Sequence, residues 1–113
     1  MLFVCYPRCS TCKKAQSWLD EHTPDYKLRD IKAANPTMEE LRTWHKRSGL
    51  PLRRFFNTSG MQYRELGLKD KLPTMDEEAQ LRLLATDGML VKRPLLVHDD
   101  FVLVGFKDDE WNS

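Results

Sequence analysis

Three cysteines, Cys5, Cys9 and Cys12, fall within eight residues near the start of the chain, and Lys13 and Lys14 follow the last of them directly. Thiols grouped this way can ligate a metal, form a redox disulfide, or provide one nucleophile beside spectators. Structural zinc takes about four ligands, and the nearest fourth candidate, His22, lies ten residues beyond Cys12. A phosphatase-type anion loop needs an arginine six positions after its cysteine. The residues at that offset from Cys5, Cys9 and Cys12 are Thr11, Ala15 and Trp18, none of which can clamp an oxyanion. What remains is Cys9-Ser10-Thr11-Cys12, a C-x-x-C pattern whose chemistry is thiol–disulfide exchange when it stands between a strand and a helix. Cys5 reads as a small buried hydrophobe.

The flanking residues predict that setting. Residues 2–6 form a short apolar run that stops at Pro7, and Ala15, Trp18 and Leu19 fall at i, i+3 and i+4 on one helical face. Strand, tight turn and helix bring Cys9 to a helix N-terminus, where unpaired amide N–H groups favour its thiolate and Lys13 and Lys14 add positive charge. Cys9 is then the nucleophile. Cys12, one turn later, either resolves the product on Cys9 as a disulfide or stands by as an inert small residue.

Further along, residues 26–31 predict a second strand, and Thr37 with Glu40 makes a capping box for a helix that buries Leu41 and Trp44 and ends at Gly49. Residues 50–56 read as a short helical turn presenting Leu52, Phe55 and Phe56. A second capping box, Thr74 with Glu77, opens a helix that carries Leu81, Leu84 and Ala85 and closes at Asp87-Gly88. Residues 94–97 and 101–104 are β-rich, and the polar turn His98-Asp99-Asp100 between them signals a hairpin. The order β-α-β, helical middle, ββ and charged tail predicts an α/β fold with a mixed sheet. Trp18, Trp44, Phe55 and Phe56 read as packing residues, and His22, His45 and His98 as surface or helix-terminal side chains.

With 113 residues and 41% hydrophobic content, the chain has material for one core and one domain. Lys and Arg number 18 against 17 Asp and Glu, a net charge of +1 that gives no warrant for nucleic-acid or anionic-membrane binding. No apolar run is long enough to cross a bilayer and the N-terminus is too short for a signal-peptide core, so the expected location is the cytoplasm. In that compartment an odd, clustered set of cysteines argues for thiol chemistry over structural disulfides.

Four motifs in order, "YPRCSTCKKA" at 6–15, "YRELGLKDK" at 63–71, "VKRPLLV" at 91–97 and "VLVGFKDDEW" at 102–111, resemble the ArsC/Spx family of arsenate reductase-like and Spx/MgsR-like proteins over nearly the whole chain. The resemblance implies a thioredoxin-like mixed sheet with a helical insertion at about residues 36–88 of one domain, residues 1–113. It matches Cys9 to the catalytic cysteine that forms the adduct with arsenate in glutaredoxin-linked reductases, and Cys12 to a position that is often serine in those enzymes and cysteine in Spx-like members. Arg93 matches an arginine that approaches the active-site cysteine or its anion, and Pro94 a proline that is typically cis. Thr11, Lys13 and Pro94 are expected to support substrate or thiolate.

Two further oxyanion-holding arginines of the reductases match Asn57 and Gly105 here; the nearby Arg53 and Arg54 could replace them in space, but they read first as a solvated helix face. The implied activity is therefore thiol–disulfide reduction, without efficient arsenate reduction. No bound cofactor or metal is expected, and an external thiol system such as glutathione/glutaredoxin or thioredoxin would restore the dithiol. The alternative implied by the resemblance is an Spx/MgsR-like redox-switched regulator that binds the C-terminal domain of the RNA polymerase α subunit through a surface near Gly49. Those regulators usually continue with a helical segment beyond the point where this chain stops, so the ending resembles the enzyme-like members more.

Overall fold

The structure, a computed structural model, describes residues 1–107 and Trp111. Residues 108–110, which belong to the fourth motif and the charged tail, and residues 112 and 113 lie outside the described residues.

Four strands, β1 (Leu2–Cys5), β2 (Lys27–Asp30), β3 (Leu95–Val97) and β4 (Val102–Val104), make one mixed sheet in the order β2-β1-β3-β4. β1 runs parallel to β2, with Cys5 opposite Asp30, and antiparallel to β3, which forms the predicted hairpin with β4. Helix α1 (Ser10–His22) is the crossover that the parallel pair requires. All the elements between β2 and β3 are helical: α2 (Met38–Ser48), α3 (Met61–Glu65), α4 (Leu68–Lys71) and α5 (Glu77–Leu84), with 3₁₀ turns at Leu52–Phe55, Leu72–Thr74 and Gly88–Leu90. This is a thioredoxin-like arrangement with its helical insertion. Among the described residues no helix is long and apolar enough to cross a membrane.

Side-chain alternation along β1 divides the core between two layers. Val4 faces the helical middle, where it joins Ile31, Leu41, Trp44, Phe55, Phe56, Leu81 and Leu84. Phe3 and Cys5 face the other way, onto Cys12, Ala15 and Leu19 of α1 and onto Trp111. The four aromatics read as packing residues do pack, Trp18 only partly buried at the edge of the α1 layer.

Helix α2 begins as its sequence predicts. The Glu40 amide donates to the Thr37 hydroxyl at 3.1 Å, the Thr37 amide donates to Glu40 Oε1 at 3.0 Å, and Gly49 closes the helix in the left-handed region at φ 69°. The α5 start differs. Pro73 and Thr74 continue the turn that follows α4, and the Thr74 hydroxyl donates back to the Lys71 carbonyl at 2.7 Å. Asp76 is the cap instead, accepting the Ala79 amide at 2.8 Å. Its carboxylate reaches the third helical amide just as a threonine hydroxyl would, and Thr74 lies two residues too early once Pro73 has set the chain direction.

Glu40 also receives the Arg29 guanidinium from β2 through both oxygens, at 2.6 and 2.9 Å. The Arg29 hydrogen bonds, helped by those from Thr37, hold the Glu40 carboxyl down at about 2. A carboxylate whose folded value is depressed contributes stability that is complete above its ordinary value and is lost as pH falls through the folded one. Glu40→Gln is therefore expected to flatten the pH dependence of urea stability between about pH 4.5 and about pH 2, with a loss of about 1 kcal/mol at neutral pH after allowance for solvent screening. An unchanged acid slope in the variant would overturn this account.

Candidate active site

β1 ends at Cys5, and the chain turns through Tyr6, Pro7 and Arg8 so that the Cys9 amide donates to the Tyr6 carbonyl at 3.0 Å. Cys9 is the N-cap of α1, with extended backbone, and its carbonyl accepts the Lys13 amide at 3.1 Å. Its side chain makes no capping bond, so the first-turn amides are left without a side-chain acceptor beside the sulfur. Cys9 is partly exposed, whereas Cys12 and Cys5 are buried, at 2% and 4% exposure.

Cys12 lies at the centre of the three thiols. Its Sγ accepts the Tyr6 amide at 3.3 Å, and its side chain hydrogen-bonds to those of both Cys5 and Cys9. The bond from Cys12 draws the Cys5 thiol below its ordinary value, against burial and the negative charges of Asp30 and Cys9. The same bond, with burial, pushes the Cys12 thiol far up, and the Tyr6 amide and Cys9 oppose it only in part. His22 is no part of this group: it stacks on Trp18 at 4.2 Å in the last turn of α1, about 15 Å along the helix from Cys12.

Arg93 reaches the same turn through Tyr6. Its guanidinium lies 5.5 Å from the Tyr6 ring centroid, and Nη1 donates to the Met89 and Val91 carbonyls at 3.3 and 3.4 Å. Its Nε is buried and meets no acceptor among the described residues. The Arg93–Pro94 peptide is cis, and the Pro94 carbonyl accepts the Gly105 amide at 2.8 Å. Lys13 is exposed in the first turn of α1.

Thr11 belongs to a different wall. It lines a cavity of about 360 Å³ together with Arg54, Lys92, Gly105 and Lys107. Arg54 is half-buried beside this cleft, and the exposed Arg53 lines a neighbouring recess together with Arg54, Tyr63 and Lys92. Among the described residues none of Arg54, Lys92 and Lys107 makes an ion pair. Gly105 sits at φ 75°, and a Cβ there would lie 3.3 Å from Lys92 Cε, so the Lys92 chain runs where a larger residue would have to stand. Asn57 shapes a turn, donating its amide to the Leu90 carbonyl at 2.7 Å and accepting the Gly60 amide at 3.0 Å. The sequence reading missed Lys92, Lys107 and the part played by Cys5 and Tyr6. Positions 54, 92 and 107 share no local spacing that would have joined them.

The ArsC family model matches residues 5–113. The chain belongs to the ArsC family. It is 51% identical over 113 residues to the uncharacterized protein YusI of Bacillus subtilis, covering 100% of this chain and 96% of YusI. The crystal structure of a possible arsenate reductase from Streptococcus mutans superposes with a TM-score of 0.89 at 44% identity, covering 99% of this chain and 97% of that one. The global transcriptional regulator Spx of Enterococcus faecalis is 30% identical over 105 residues, covering 92% of this ArsC-family chain and 77% of Spx. Its relatives thus carry both reductase and regulator names.

Proposed function

We propose that this protein is a thiol–disulfide oxidoreductase for substrates that carry negative charge, with Cys9 as nucleophile and Cys12 as resolving thiol. The observation that carries the reading is the partly exposed Cys9 sulfur at the α1 N-terminus with the buried Cys12 thiol hydrogen-bonded behind it. The Cys9 thiolate attacks one sulfur of a substrate disulfide, the substrate S–S bond breaks, and the leaving thiolate takes a proton from water. Cys12 then attacks the Cys9 sulfur of the mixed disulfide, expelling the second substrate thiolate and leaving a Cys9–Cys12 disulfide. Two equivalents of an external thiol, of the glutathione/glutaredoxin or thioredoxin type, return the dithiol.

The cleft walled by Thr11 supports the choice of an anionic substrate, because Arg54, Lys92 and Lys107 converge there from three separate segments. Lysines present point charges, where the reductases' arginines present forks that grip a tetrahedral oxyanion bidentately. Arsenate turnover is accordingly expected to be weak even with thiol reductants supplied. The test is a KM comparison on the double variant Arg54→Ala/Lys92→Met. With oxidised glutathione, which bears carboxylates, KM should rise about tenfold, the loss of about 1.4 kcal/mol from two partly screened cations. With neutral 2-hydroxyethyl disulfide KM should hold. Equal effects on both substrates would remove the anionic assignment.

A second reading comes from the regulator relatives. The Cys9–Cys12 pair and the Arg93–Pro94 step also suit a redox-switched partner of the C-terminal domain of the RNA polymerase α subunit. We prefer the enzyme because Cys9 and the cationic cleft are joined through one helical turn, an arrangement that a partner surface near Gly49 does not call for. Tight redox-dependent binding to that polymerase domain, with no disulfide reduction, would reverse the preference.

A further inference from the structure

We propose that Cys5 is a third redox thiol, which exchanges with the Cys9–Cys12 disulfide to form a buried Cys5–Cys12 disulfide and release Cys9. The proposal rests on the reading of Cys9 and Cys12 as a redox pair, and it starts from the strand. Alternation along β1 turns Cys5 toward α1, into the cluster that holds Cys12. The Cys12 sulfur lies 3.3 Å from the amide of Tyr6, the residue next to Cys5, and the two side chains hydrogen-bond. Cys12 also touches Cys9, so a disulfide formed by Cys12 on one side has a second sulfur waiting on the other.

The step balances without an added oxidant. The Cys5 sulfur, giving up its proton, attacks Cys12 Sγ; the Cys9–Cys12 S–S bond breaks as the Cys5–Cys12 bond forms. The electron pair departs on Cys9, which stays as thiolate at the helix N-terminus or takes up the proton that Cys5 released. Negative charge thereby moves from a buried strand position to the partly exposed end of α1, where helix amides face it. The outcome is a protein that is oxidised by two electrons and still presents a free Cys9, able to capture a second disulfide before any reductant arrives. Reduction runs the exchange backward, with Cys9 reattacking Cys12 and handing the bond to an external thiol that the buried pair does not meet.

Trypsin makes the test direct, because it cuts after Arg8 and Lys13 and separates Cys5, in residues 1–8, from Cys9 and Cys12, in residues 9–13. The full-length protein is oxidised with oxidised glutathione, freed of reagent, quenched in acid, blocked with N-ethylmaleimide and digested. The expected product is peptide 1–8 joined by a disulfide to peptide 9–13, with N-ethylmaleimide on Cys9, in an amount at least equal to the internal Cys9–Cys12 loop. On longer exposure, the oxidised protein should carry glutathione on Cys9. Cys5→Ala, and Cys5→Ser should the alanine variant misfold, should give only the Cys9–Cys12 loop and accept no glutathione once oxidised. A wild-type digest with only that loop and with Cys5 fully labelled would overturn the relay while leaving the redox pair. A joined product labelled on Cys12 would also overturn it, and no disulfide of any kind would overturn the relay and the redox pair together.

Discussion

Replacing Cys9 with serine is expected to lower disulfide reduction by at least about a thousandfold, because a hydroxyl at this position is almost wholly protonated and a far weaker nucleophile than a thiolate. The usual objection, that such a variant has merely lost its fold, can be answered at this site. Cys9 occupies the N-cap of α1 without making a side-chain capping bond. Serine is among the preferred N-cap residues, and its oxygen can accept a first-turn amide that the sulfur leaves unclaimed. Cys9→Ser should therefore unfold in urea at the same or a higher midpoint than the parent, by up to about 1 kcal/mol, while its activity falls to background. Retained activity in this variant would transfer the nucleophilic role to another thiol and end the proposed cycle. Cys12→Ser makes the complementary case: attack on substrate continues, but the reaction should stop at a mixed disulfide on Cys9, visible by mass spectrometry of the intact protein.

Gly88→Ala is expected to destabilise the protein by about 3 kcal/mol, at the upper end of what small-to-large changes in packed sites produce. A Cβ at Gly88 would stand 2.0 Å from the Ile31 carbonyl oxygen and 2.8 Å from Asn35 Oδ1, the first of which is backbone and cannot swing aside. The segment after β2 rests on this glycine, and Asn35 Nδ2 ties the same segment to α5 through the Ala85 carbonyl at 2.8 Å. Making room for a methyl group means pulling the helical middle from the sheet edge or breaking that bond. The disturbance should also travel along the chain, since Met89 and Val91, which accept from Arg93, follow directly. Urea denaturation measures the first effect. A loss below about 1 kcal/mol would show that the backbone shifts at little cost.

What could be read from the sequence was whatever its neighbours along the chain dictate. Cys9 at a strand-to-helix turn, the Thr37–Glu40 box and the left-handed stop at Gly49 each depend on residues within one or two helical turns, and each appears where its spacing predicts. The Thr74 start failed within that same range, because two caps of similar chemistry lay two residues apart and Pro73 selected between them. The four motifs carried the family, and with it the sheet and insertion. The surroundings of the thiols were another matter. Strand period says that Phe3 and Cys5 share a face, yet it does not say which layer covers that face. Only the packing of α1 on β1 brought Cys12 in beside Cys5 and Cys9. Likewise, Arg54, Lys92 and Lys107 are separated by 38 and 15 positions in the chain, and only chain folding gathers them beside Thr11. Local spacing is set by backbone geometry over a few bonds, whereas a charge cluster or a thiol relay is set by distances through space, which the sheet order and the layer packing decide.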